Sequence, residues 1–264
     1  MKTETMKIRI PALPARIISV WARHMSVYTR NLFSNAFPPF LEPLIFLAGI
    51  GLGVGMFIRG NVDGMPYLLF LATGLIITPA MYTASFECSY GTFVRLEYDH
   101  VYDGMLAAPL TYRDVIWGEL LFVGTKGVFF SLSVLIIVFS IGIVRNPFSL
   151  VTPFVGGLTG LMFGAIALVI TSFVNNLNYF NFFFTGFLSP MFFFSGLVFP
   201  LSNLPKPLQF VAEILPLTHP IRMARSLCTG RLDGTIVFDF FYCLLFIVVF
   251  GYLATKLLKK RLIF

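Results

Sequence analysis

Long apolar runs alternate with short polar breaks along this chain. The runs cover residues 38–58, 66–89, 116–144, 150–174, 180–201 and 236–253. Each approaches or exceeds the ~20 residues a helix needs to cross a hydrocarbon core of ~30 Å. A water-soluble domain would have to hide nearly every one of these segments, whereas a bilayer accepts them. The pattern therefore predicts an all-α membrane protein with six transmembrane helices in a single domain over residues 1–264. Ahead of the first run, residues 14–35 set Ile17, Ile18, Val20, Trp21, Met25, Tyr28 and Leu32 against Arg16, Arg23, His24 and Arg30. A helix with those two faces either lies in the headgroup region or packs on the bundle as an ordinary cytoplasmic helix; residues 1–36 form this N-terminal section. The Pro38-Pro39 pair fits the start of the first span.

The breaks differ in length and content. Residues 59–64, 145–147 and 175–178 are short turns. A long, densely charged break between spans is 91–115. Within it, residues 97–107 can form a short amphipathic helix stopped before Pro109, and Thr111 with Asp114 makes a capping box that restarts helix into the third span. Such a helix is either a firm handle for a cytoplasmic partner or a solvated inner loop. Residues 202–234 hold two short amphipathic stretches, 205–215 and 220–228, divided by Leu215-Pro216-Leu217-Thr218-His219-Pro220 and ended by Gly230.

Composition agrees with this picture. Charged residues make up 12% and hydrophobic residues 57% of the 264 residues, and the mean hydropathy is +0.86. Six spans leave no room for a separate soluble domain, although a domain typically needs only about 100–200 residues. The net charge of +7 matters through its placement. Lys2, Lys7, Arg9, Arg16, Arg23 and Arg30 precede the first span, and Lys256, Lys259, Lys260 and Arg261 follow the last. Basic ends predict that both termini are cytoplasmic and give no reason to invoke nucleic acid. Lys206, Arg222, Arg225 and Arg231 fall in the segment after the fifth span and pull the other way; the termini decide the orientation. The N-terminus, broken by Pro11 and Pro14, does not read as a cleavable signal peptide. Cys88, Cys228 and Cys243 have no disulfide or zinc spacing. Cys228, in the outer segment, is expected to be open to impermeant thiol reagents.

No catalytic constellation stands out. Gly124-Thr125-Lys126 has the wrong order and setting for a phosphate-binding loop, and Gly49, Gly51, Gly53 and Gly55 lie inside a span. His24, His100 and His219 are scattered, with no Ser/His/Asp grouping. The expectation is no enzyme activity, cofactor or metal in this chain. A membrane-embedded enzyme would need convergent polar groups and a channel would need a polar pore face; the spans show neither. Gly156, Gly160 and Gly164 line one face of the fourth span, which suits packing inside the subunit. Gly51 and Gly55 do the same in the first span, for a dimer seam or a translocation wall. Glu87, Glu119 and Lys126 are charges placed within spans. Glu119 and Lys126 are too far apart along one helix to bond, so their partners lie on neighbouring spans or on the N-terminal helix. They either snorkel to the inner interface or touch cargo, and the middle of the spans holds no charge to relay protons. In the fifth span, Phe187, Phe192, Phe193 and Phe194 belong to a phenylalanine run that either packs against lipid and protein or forms an apolar gate.

The stretch Phe86-Glu87-Cys88-Ser89-Tyr90-Gly91-Thr92-Phe93-Val94-Arg95-Leu96, followed by Met105-Leu106-Ala107-Ala108-Pro109-Leu110 and Gly118-Glu119-Leu120, resembles the permease subunits of type-2 ABC exporters. So do Glu42-Pro43 with Gly51-Leu52-Gly53, Phe199-Pro200-Leu201, Leu204-Pro205, and the Leu-Pro-Leu-Thr-His-Pro motif with Arg222. The likeness is to the nodulation protein J type, which exports lipo-oligosaccharide, and it covers nearly the whole chain. It implies a bacterial inner-membrane half-transporter that pairs with a second, identical permease and docks on two copies of an ATP-binding subunit, which binds the ATP and Mg. It implies that the 91–115 loop carries a coupling helix, with Arg95, Leu96, Glu97, Tyr98, Tyr102, Met105, Leu106 and Pro109 facing the ATPase. It makes 202–234 a re-entrant helix pair involving Glu213, Pro216, His219 and Arg222. The implied cargo is an amphipathic glycolipid or lipid-linked saccharide, with a hydrophobic drug or secondary metabolite as the alternative.

Overall fold

The computed structural model describes residues 12–58 and 60–262; Lys2, Lys7, Arg9, Pro11 and Arg59 lie outside that range. Those residues are helical with no strand, and five helices are long and apolar enough to cross a membrane. Helix α1 (Leu13–Arg30) starts with Pro14 in its first turn and ends at Asn31. Helix α2 (Leu32–Phe46) runs on through wider π turns to Leu52. Next come α3 (Tyr67–Leu75), α4 (Thr78–Phe86), a π segment at Glu87–Gly91 and α5 (Thr92–Glu97), which form one continuous rod. Short helix α6 (Val101–Leu106) leads to α7 (Tyr112–Ser140) and α8 (Thr152–Phe173). Then come α9 (Phe180–Phe183), a π segment at Phe184–Leu188 and α10 (Ser189–Phe194). Helices α11 (Lys206–Ile214), α12 (Thr218–Thr229) and α13 (Thr235–Leu262) complete the chain.

Four boundaries depart from the sequence expectation. The first span begins at Leu32 rather than at Pro38, so Pro38, Pro39 and Pro43 sit inside the helix. Prolines are tolerated in membrane helices where neighbouring groups or water can serve the carbonyls they leave free. The second span continues to Glu97, because Arg95 and Phe93 are held inside the fold and carry the helix past Ser89. The coupling helix is correspondingly shorter than 97–107; His100, with φ +48°, breaks the chain before it. The predicted span at 180–201 is helical only through Phe194, about 22 Å at 1.5 Å per residue, which falls short of the hydrocarbon core. Gly196, with φ +75°, takes the left-handed conformation that closes a helix, and the chain turns there.

Helix α8 is the centre of the bundle and packs on α4, α7, α12 and α13. Its glycines let α7 come close: a Cβ on Gly160 would lie 2.6 Å from the Val123 carbonyl oxygen. The core between these helices holds Phe70, Met81, Phe122, Phe130 and Phe163, all at most 2% exposed. The capping box is present: the Asp114 amide donates to the Thr111 hydroxyl, and the Thr111 amide donates to Asp114 at 2.7 Å. Helix α1 packs along α7 through Val20, His24 and Tyr28, with Trp21 Nε1 donating to Thr125 at 3.1 Å. Its other face leaves Leu13, Ile18 and Val27 open. The three cysteines are free and buried; Cys228, expected to be accessible, lies against Thr152, so an impermeant reagent cannot reach it.

Candidate functional site, a charged floor beneath an aromatic cleft

Four ionisable side chains that the sequence scatters over 40 positions meet between α4, α5 and α7. Arg95 Nη1 donates to Glu87 at 2.6 Å, and its Nη2 bonds Glu119. Lys126 Nζ donates to the other Glu87 oxygen at 2.9 Å. The Tyr102 hydroxyl, from α6, donates to the second Glu119 oxygen at 2.8 Å, and Thr92 adds its own hydroxyl to the first. The network is neutral, with two acids and two bases. Its side chains are largely sealed: Glu119 is 2% exposed, Lys126 9%, Arg95 15% and Glu87 17%. Burial and the Glu119 carboxylate push the Tyr102 phenol pKa up, which keeps it a proton donor. Lys126 also rests 4.6 Å from the Tyr28 ring centroid. These charges thus pair across spans, as their spacing required.

Above this floor opens a cleft of about 1040 Å³ between α1, α2, α4 and the short α9–α10 rod. Glu87, Arg95 and Lys126 form one end. Its walls carry Phe46, Tyr82, Phe86, Tyr90, Phe184 and Phe192. Phe192 meets Phe46 edge to face at 5.2 Å, and Tyr90 sits 5.6 Å from Phe184. π segments occur in three of the rods bordering the cleft, those of α2, α4–α5 and α9–α10. The wider turn adds one residue per repeat and locally re-aims side chains, which is why such segments gather at functional sites.

The structure divides the residues that the resemblance assigns to coupling. Tyr98, Glu97 and Pro109 are exposed, and Leu96 and Leu106 are half-buried. Arg95, Tyr102 and Met105 instead turn inward, so a partner cannot touch their side chains directly. Of the proposed gate, Phe192 faces the cleft, while Phe187, Phe193 and Phe194 are partly exposed on other sides. Gly51 is buried against Leu68 and Leu71 of α3, within the chain rather than at a seam. Gly55 lies at the end of the π turn against Gly51.

A second cluster ties the far end together. Arg222 bonds Glu213 at 2.9 and 3.1 Å and holds both oxygens of Asp239 on α13. His219 stacks on Tyr242 at 3.6 Å and reaches Asp239 at 2.8 Å. Pro216 lies in the turn between α11 and α12. Arg225 lies 3.7 Å from the centre of the Phe70 ring and donates to the Gly196 carbonyl at 2.9 Å.

Sequence reasoning missed Asp239, Glu42 and Arg261. Asp239 and Glu42 were visible as charges inside apolar runs. Arg261, which donates to the Thr171 and Val174 carbonyls and to Glu97, looked like one more basic residue of the tail. Among the described residues no group of three or more His, Cys, Asp or Glu is placed to hold a metal.

Residues 15–228 match the ABC-2 type transporter family. The chain is 33% identical to "Nodulation protein J" of Sinorhizobium fredii, across 96% of this chain and 97% of that protein. It is 33% identical to the protein of the same name from Rhizobium meliloti, across 97% and 98%. More distantly, it is 25% identical to the "Inner membrane transport permease YadH" of Escherichia coli, across 92% and 94%.

Proposed function

We propose, from the premise that this chain belongs to the ABC-2 type transporter family, that it is the membrane half of an ATP-driven exporter of an amphipathic cargo such as a glycolipid or lipid-linked saccharide. Two copies form the translocating unit in a bacterial inner membrane, each docked on one copy of an ATP-binding subunit that carries ATP and Mg. Both termini face the cytoplasm. No reaction is catalysed by this chain itself.

One observation carries the reading. The α6 foothold is wired to the floor of the cleft, because Tyr102 of α6 and Arg95 of α5 both hold Glu119. A push on α6 therefore moves charged groups at the base of a large cavity without crossing a flexible loop. The cleft suits an amphipathic molecule, since charged and amide side chains share its lining with aromatic rings. Helix α2 leaves Phe33, Phe37, Ile45 and Leu52 uncovered, an apolar flank that a second permease would bury. The likeness to "Nodulation protein J" supports the choice of cargo class.

The test is transport. Proteoliposomes holding this chain and its ATP-binding subunit should move a fluorescent glycolipid across the bilayer with ATP and not with a non-hydrolysable analogue. Equal movement without ATP, or by the chain alone, would end the proposal.

A further inference from the structure

One carboxylate stands apart from the rest. Glu42 lies at the midpoint of the 32–52 helix, with about 15 Å of apolar helix on either side. A span of 38–58 would put it one turn from the end; beginning the helix at Leu32 puts it at the middle. The buried carboxylates Glu87, Asp114, Glu119 and Asp239 each hold a basic partner. Glu42 is open to the cleft and holds none among the described residues. A membrane-embedded carboxylate is costly and needs a use.

Its surroundings indicate which use. Pro38, Pro39 and Pro43 have no N–H, so the carbonyls of Ser34, Asn35 and Pro39 lose their helical donors. Ser34, Asn35, Pro39 and Glu42 all line the cleft. Asn35 gives its amide N–H to the Tyr28 carbonyl at 3.1 Å, which leaves its side-chain oxygen as a further acceptor. This wall is thus rich in acceptors and poor in donors, and in lipid such groups must be satisfied. The floor charges are already satisfied among themselves, Glu87 by Arg95 and Lys126 and Glu119 by Arg95, so Glu42 is the carboxylate of the cleft wall left to accept donors from an occupant. Phe46, Tyr82 and Phe192 supply flat apolar faces to the same space.

We infer that the Glu42 wall is a subsite for the uncharged, hydroxyl-rich head group of the cargo, with the Glu42 carboxylate accepting its hydroxyl donors at mid-membrane. This rests on the exporter reading above, and the experiment separates the two. The complex with its ATP-binding subunit, in nanodiscs, is titrated with dodecyl maltoside, dodecylamine or dodecanol, and the half-maximal concentration for ATPase stimulation is recorded. Glu42→Leu should raise that concentration for the maltoside about tenfold or more, Glu42→Gln about threefold, and Glu42→Asp little, with KM for ATP unchanged, as loss of a charged acceptor requires. Should Glu42→Leu fail to assemble, Glu42→Gln carries the test. Unchanged values in Glu42→Gln and Glu42→Leu, with a responsive wild type, would overturn the subsite and leave the exporter standing. A stronger response to dodecylamine that Glu42→Gln abolishes would make it a cation site, and a disulfide between two Glu42→Cys copies would make it a seam. A wild type that hydrolyses ATP but responds to none of the three would remove the cargo reading beneath it.

Discussion

Lys126 and Arg95 are buried cations whose position depends on Glu87 and Glu119, and each acid depends on them in turn. Breaking one member of such a set strands a charge, at a cost of about 3–5 kcal/mol, whereas removing an opposite pair together can be nearly neutral. Lys126→Met should therefore lower stability by about that amount in a thermal melt, and adding Glu87→Gln should restore most of it. An additive double mutant would mean that the two side chains act independently. His24 offers a pH readout on the same floor. Burial, aided by Arg95 and Arg23 against the opposing pull of Glu119 and Glu87, lowers its pKa from 6.5 to about 4. Between those values the unfolded chain binds the proton and the folded protein does not, so stability falls as pH drops from 6.5 toward 4, by about 3 kcal/mol in all. His24→Phe keeps the stacking on Phe122, 5.4 Å away, and should flatten the decline in melting temperature between pH 7 and 5.

At the scale of elements, α6 is short because the left-handed His100 breaks the chain just before it. Tyr102 and Met105 anchor it inward, while Tyr98 and Asp103 stay outside. A charge at a contact surface should block docking, and a charge at an anchor should unfold α6. Tyr98→Glu and Asp103→Lys, both at exposed positions, are therefore expected to keep insertion and melting temperature but cut ATP-driven export at least tenfold; full export by both would rule out α6 as the foothold. Arg261 extends this unit, since it caps the end of α8 and pairs with Glu97 at 2.6 Å. The end of α13 is thereby fixed to the end of α5, next to α6. The amphipathic pattern of residues 97–107 predicts a longer coupling helix. It could not reveal that Arg95 would be drawn inward by a glutamate 24 positions away, which extends α5 and shortens α6.

On the scale of the whole molecule, orientation is the open physical variable, because basic residues lie at both ends of the bundle. Arg222 is paired with Asp239 and Arg225 is held by the Gly196 carbonyl within the fold, while among the described residues at this end Arg145, Lys206 and Arg231 remain exposed. The weight of the orientation rule then falls on the termini. With the native cysteines buried, Asp233→Cys, on an exposed turn, should be labelled by an impermeant maleimide added outside intact spheroplasts. Labelling only after lysis would invert the topology. The α-helical membrane class, the capping box, the glycine face of the fourth span and the paired short helices before the last span were all written in local order, since periodicity, caps and breakers act over a few residues. The depth of Glu42, the inward turn of Arg95 and the bond from α13 to the end of α5 were decided only by tertiary structure. Each depends on which distant groups a chain brings together once water is excluded, and sequence distance carries no record of that.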